Sequence, residues 1–175
     1  MAIKVSIVED LPEVREGLSE LIKSDKELLL LENFDNAESA MEKAKQYMKE
    51  RQAFGRPIGK FQVLRHKLAK MSITVEACRS LSYRAVAEFI EKGPEAYKII
   101  SIAKAFVCEE AFNVINEALQ IHGGWGYMED YGIARSFRDI RLMTVGAGTT
   151  EIMYEIISKI EIDEVKHKKQ MIKQR

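Results

Sequence analysis

The apolar positions of the chain change period partway along it. From Ile3 to Val8 the run IKVSIV is β-branched and nearly continuous, as in a strand buried on both faces of a parallel sheet. After Pro12, a good first-turn residue, Val14, Leu18, Leu21 and Ile22 recur at helical spacing, which predicts a helix over 12–24. LLLL at 28–31 reads as a second strand and Asn36 to Met48 as a second helix, so the chain opens β-α-β-α. Past residue 47 the pattern is helical throughout. Phe61, Leu64, Leu68, Met71, Val75, Cys78, Leu81, Ala85 and Phe89 trace one stripe at spacings of three and four, predicting a long helix from about 60 to 92 that Gly93-Pro94 ends. A second long helix runs from Pro94 to about Ile121 and closes at Gly123-Gly124. A short helix at Ile133 to Leu142, a glycine loop at 146–148 and a helix capped by Thr149 and running to Glu161 complete the set.

Two long antiparallel helices, flanked by those near 37–51 and 149–162, predict a mainly α fold: a four-helix up-down bundle with a short N-terminal β-α-β appendage. The expected division is 1–36, 37–163 and a basic tail, EVKHKKQMIKQR, at 164–175. Charge narrows the function classes. Lys+Arg and Asp+Glu number 27 each, so no net field recruits nucleic acid or an anionic membrane. The apolar runs are shorter than the roughly 20 residues of a membrane span, and an acidic pair stands where a signal peptide needs an apolar core. The expectation is a cytoplasmic protein with no nucleic-acid or membrane partner. Cys78 and Cys108 have no CxxC partner and read as two buried thiols, not as a disulfide or metal site.

The opening IVED resembles the receiver domain of bacterial response regulators, whose first strand ends in an acidic pair; the likeness covers residues 3 to about 45. In that family the pair helps hold Mg2+ at the carboxyl end of the sheet, a role that would fall to Glu9 and Asp10. The third to fifth strands, with the phosphoacceptor Asp, the hydroxyl residue and the Lys, do not follow. Glu9 and Asp10 are therefore read as a solvated strand end, and no metal is expected.

YMKERQAFGRPIGKFQ, ALQIHGGWGYMEDYGIARSFRDIR and GAGTTEIM, in this order and spacing, resemble the C-terminal helical domain of acyl-CoA dehydrogenases over residues 38 to about 163. That family implies FAD, a dimer or tetramer, and oxidation of acyl-CoA thioesters to enoyl-CoA. Physically, Arg51 stands at a helix end where a guanidinium fork can grip a phosphate, with Phe54 beside it as a flat apolar surface; taken alone, the pair reads as a helix-end salt bridge and a core aromatic. By resemblance the two contact the FAD pyrophosphate and its surroundings in a partner subunit. Glycines after Gln120 and His122 let backbone approach a ligand closely. The resemblance places Gln120 and Gly124 at the adenosine end of FAD across the dimer interface. Thr149 and Glu151, at a helix N-terminus, match positions near FAD, and Thr149 also reads as a cap.

The parent reaction needs a carboxylate to remove the α proton while the flavin accepts a hydride from the β carbon. Many members carry a Glu just before the Gly-Thr pair, where this chain has Ala147. The isovaleryl-like group, which shares the GAGT loop, carries its Glu about two dozen residues before the Arg motif. Here that count lands near Asp25, which reads as a solvated helix-end acid, so the catalytic base is unassigned. The middle β domain that would cover the flavin is not expected either. The resulting expectation is an FAD-contacting, oligomerising domain that is incomplete as an enzyme by itself, with acyl-CoA a substrate only if the other domains are supplied. The competing readings are a signalling or interaction protein that uses the bundle only to dimerise, and an inactive remnant held together by bundle packing. His66 reads as a surface or packing residue, Trp125 and Tyr127 as ligand-lining or packed aromatics, and His122 has no assigned chemistry.

Overall fold

Ala40, Ala44 and Met48 recur every four residues, and the helix they belong to, α1 (Ala37–Glu50), buries them as one stripe. A computed structural model describes residues 37–163, the strands at 3–8 and 28–34, and Glu16 and Glu20. Strand β1 (Ile3–Val8) pairs in parallel with β2 (Leu28–Phe34), Ile3 opposite Leu28 and Val8 opposite Phe34, with a register shift between Val5 and Ile7. A parallel pair requires a crossover between its strands. The helix expected there, at 12–24, lies outside the described residues apart from Glu16 and Glu20, both helical and exposed. Glu9, Asp10, Asp25 and the tail at 164–175 also lie outside them.

After α1 comes a hairpin that the hydrophobic pattern did not announce. β3 (Gln52–Ala53) and β4 (Arg56–Pro57) pair antiparallel around Phe54 and Gly55, whose φ values of 52° and 75° have the sign of a type I′ turn. A 3-10 turn, Ile58–Lys60, then brings Gly59 so close to α1 that a Cβ there would lie 2.9 Å from the Met48 carbonyl oxygen.

The long helix α2 (Gln62–Lys92) stops at Gly93, φ 58°, and a 3-10 turn at Gly93–Ala96 reverses the chain into α3 (Tyr97–His122). The expected start at Pro94 is thus one turn of 3-10 helix, and α-helix begins at Tyr97. Next come the single turn α4 (Gly124–Tyr127), a 3-10 turn at Glu129–Tyr131, α5 (Ile133–Met143) and α6 (Thr150–Ile162). Met71 and Val75 of α2, Val114 and Ala118 of α3, the α1 stripe and Ile133 of α5 share one core. A smaller core, Ala85, Ala96, Ile99 and Ala103, fills the reversal between α2 and α3. α3 packs on α1, α2, α5 and α6 and is the bundle's central element.

Both cysteines are free. Cys108 is buried and Cys78 half-buried, and desolvation, with help from Glu110, pushes the Cys78 thiol up to about 11. His66 is exposed, as expected of a surface residue. Among the described residues no helix is long and apolar enough to cross a membrane, and no cluster of His, Cys, Asp and Glu could hold a metal ion.

Candidate functional site

The six residues singled out from sequence fall into three places. Arg51, Gln120 and Gly124 line one cavity of about 740 Å³, together with Tyr47, His122 and Trp125. Two helix ends build it. The Arg51 N–H donates to the Tyr47 carbonyl at 2.8 Å, continuing α1 by one bond, and the Ile58 N–H donates to the Arg51 carbonyl at 2.8 Å, closing the hairpin on that residue. On the other wall α3 ends at Gly123, φ 60°, which turns the chain so that Gly124 opens α4. Gly126 lets α4 lie against α3, since a Cβ there would sit 2.4 Å from the Leu119 carbonyl oxygen.

Thr149 and Glu151 line a second cavity of about 600 Å³, with Glu109, Asn113, Arg141 and Thr144. Thr149 caps α6 as its sequence position predicted: Oγ1 accepts from the Ile152 N–H at 3.4 Å. The N–H of Glu151 itself, and then the Thr149 hydroxyl, hold the Glu151 carboxyl below its ordinary value. The loop before it is fixed by Thr144, whose carbonyl accepts from the Thr150 N–H at 3.1 Å and whose hydroxyl is bonded to Arg141. Ala147, exposed, holds φ 54°, a left-handed conformation unusual for alanine. Glu109 of this cavity accepts at Oε1 from the Tyr154 hydroxyl at 3.0 Å.

Phe54 lines neither cavity. It stands at the hairpin tip, 94% exposed, its ring edge-on to Phe61 at 6.1 Å, while Arg56 lies 4.3 Å over the other aromatic, Phe61. Tyr127 is exposed, whereas Trp125 packs on Tyr131 at 5.5 Å and still reaches the first cavity.

Sequence reasoning left His122 without a role, and the structure gives it a central place. It is 4% exposed, stacked on Tyr47 at 4.5 Å and edge-on to Tyr131 at 6.2 Å. Its Nδ1 lies 2.7 Å from the Ala118 carbonyl oxygen. A carbonyl only accepts, so Nδ1 carries the proton and the neutral ring leaves its lone pair on Nε2. Burial pushes the imidazole below its ordinary value, and the charge of Lys43 acts the same way. The available signal was periodicity: His122 lies four residues after Ala118, on the buried stripe of α3.

The sequence matches the family described as "Acyl-CoA dehydrogenase, C-terminal domain" over residues 28–161. The match takes in β2, upstream of the expected division at residue 36. Among curated relatives, the 3-(aryl)acrylate reductase of Clostridium sporogenes is 42% identical over 122 residues, 70% of this chain and 32% of that protein. Among solved structures, an acyl-CoA dehydrogenase from Geobacillus kaustophilus superposes with a TM-score of 0.69 at 39% identity, over 72% of this chain and 33% of that one. An FAD complex of PigA superposes with a TM-score of 0.66 at 29% identity, over 70% of this chain and 32% of that one. The chain spans about a third of the length of the relatives it matches. With the family model matching most of the chain and the bundle superposing on a solved relative, the chain belongs to the acyl-CoA dehydrogenase C-terminal domain family.

Proposed function

We propose that this chain supplies the FAD-contacting and subunit-joining helical domain of an acyl-CoA dehydrogenase-type flavoprotein, whose parent reaction is the α,β-dehydrogenation of an acyl-CoA thioester. The observation that supports it most is the convergence of Arg51 with Gln120 and Gly124, from two distant parts of the sequence, on one cavity of about 740 Å³. The residues fit one end of a dinucleotide. Arg51 is exposed and has no carboxylate partner among the described residues, so its guanidinium is available to a phosphate. Gln120 offers an amide, Gly124 has open space where a Cβ would be, and Tyr47 and Trp125 supply aromatic surface. Bound FAD would supply the electron acceptor; the chain's own part is to neutralise a phosphate, position the ligand and limit its contact with water.

The remaining residues of the set support an oligomeric arrangement. Thr149 and Glu151 line a different cavity, and Phe54 points from a hairpin tip into neither. In this reading one chain contributes to two cofactors, each completed by another subunit. The units 1–36, 37–163 and 164–175 belong to the same reading, as does a reducing, cytoplasmic setting, which suits two free thiols. Ala147 has no proton-accepting group, so its loop does not provide the base of the parent reaction.

The test is the visible absorption spectrum of the purified chain after incubation with FAD and desalting. Retained flavin absorbance is expected, and bleaching on addition of an acyl-CoA would then report on competence. A colourless protein would remove the cofactor role and leave a helical domain that only assembles.

A further inference from the structure

The cavity shared by Arg51, Gln120 and Gly124 is also lined by a buried histidine. His122 lines the cavity with its Nδ1–H committed to Ala118, and its Nε2 lone pair meets no donor among the described residues. A buried acceptor without a partner is costly, so a ligand that brings a donor to it gains both the new bond and relief of that cost. The surroundings fit a planar ring. Tyr47 and Trp125 give aromatic faces, and Tyr47, stacked on His122 at 4.5 Å, holds the imidazole plane. Arg51 adds a cation, and among the described residues the lining includes no carboxylate to compete with a phosphate.

A planar base joined to phosphate, with an N–H donor on the ring edge, describes a nucleotide, and the base of FAD is adenine. Adenine has its amino donor at the 6 position; in the same pose hypoxanthine sets its 6-carbonyl against the imidazole lone pair, its own donor, N1–H, lying one ring position away. We propose that His122 Nε2 accepts a hydrogen bond from the exocyclic amino group of an adenine ring, making His122 a base-selecting residue of this cavity. The inference rests on the reading above, in which the cavity takes the nucleotide end of FAD. The tautomer lock sets the selectivity, because Ala118 holds the proton on Nδ1 and leaves Nε2 as an acceptor only.

The experiment uses the full chain, labelled with 15N, and three probes: ADP, inosine 5′-diphosphate and FAD. The expected result is that ADP and FAD shift the unprotonated 15N resonance of His122 upfield, that inosine diphosphate does not, and that ADP binds about tenfold more tightly than inosine diphosphate. His122→Phe, which keeps a ring against Tyr47 and removes the acceptor, is expected to bring that preference close to one. If FAD and ADP bind while the His122 resonance stays still, or if both diphosphates bind equally well, the inference is overturned and the FAD-domain reading stands. If neither FAD nor ADP binds, both fall. Should His122→Phe fail to fold, the resonance in the unmodified chain decides the matter.

Discussion

Tyr47 and His122 lie ring on ring, centroids 4.5 Å apart and planes 26° apart, joining the last turn of α1 to the last turn of α3. Each ring sits one turn or less from a residue of the proposed cofactor cavity. The Tyr47 carbonyl takes the Arg51 N–H, and His122 is two residues after Gln120 and two before Gly124. The stack therefore fixes the spacing of the two cavity walls.

This pair gives the bundle a defined pH dependence. His122 titrates below its ordinary value near 6.5 in the folded protein, so the unfolded chain takes up the proton first as pH falls. Stability is complete above about pH 6.5 and declines below it, because protonation places a cation in a buried ring stack facing Lys43. Urea unfolding at about pH 7.5 and about pH 5 measures the loss. His122→Phe is expected to shrink it, and an undiminished loss in that variant would assign the titration to another group.

Arg51→Ala should weaken FAD binding by about tenfold or more, the range of a lost charge-assisted hydrogen bond. Far-UV circular dichroism should not change, since the exposed side chain makes no contribution to either core. Unaltered FAD affinity would take Arg51 out of the cofactor site.

Two glycines two residues apart should respond differently. Gly126→Ala places a Cβ 2.4 Å from the Leu119 carbonyl oxygen and 2.9 Å from His122 Cβ, a backbone clash expected to cost about 3 kcal/mol. At Gly124 nothing lies within 4 Å of an added Cβ, so Gly124→Ala should change stability by less than about 0.5 kcal/mol while reducing FAD affinity. Thermal melts and flavin titrations of both variants separate packing from binding; equal melting temperatures for the two would contradict the close approach of α4 to α3.

Ala147→Gly relieves a left-handed backbone at φ 54°. The relief, about 1–2 kcal/mol, exceeds the extra chain entropy of glycine, so a net gain of about 0.5–1 kcal/mol is expected. A lower midpoint in chemical denaturation would mean that the unfolded-state term dominates.

The helices were legible because each long one repeats apolar residues at three and four over many turns, and glycines mark the ends at 93 and 123. Thr149 announced its cap by residue type and position. The hairpin was not legible. Its strands are two residues each, and Phe54 takes a positive φ that its chemistry does not advertise. Of the candidate site, Arg51, Gln120 and Gly124 were marked for ligand contact by the resemblance of their motifs, but their shared cavity depends on how α1 crosses the end of α3, which no local pattern encodes. His122 was passed over because a single histidine is read by residue type, whereas its burial follows from spacing four after Ala118 and its tautomer from one carbonyl.

The central placement of α3 gives the two cavities a common helix and different flanks. α6 packs on α3, and α1 packs on the same helix at its far C-terminal wall, so either flank can open while the hub stays closed. In amide hydrogen exchange the middle of α3 is then the slowest segment, and the first turns of α6 and the last turn of α1 exchange as two independent units.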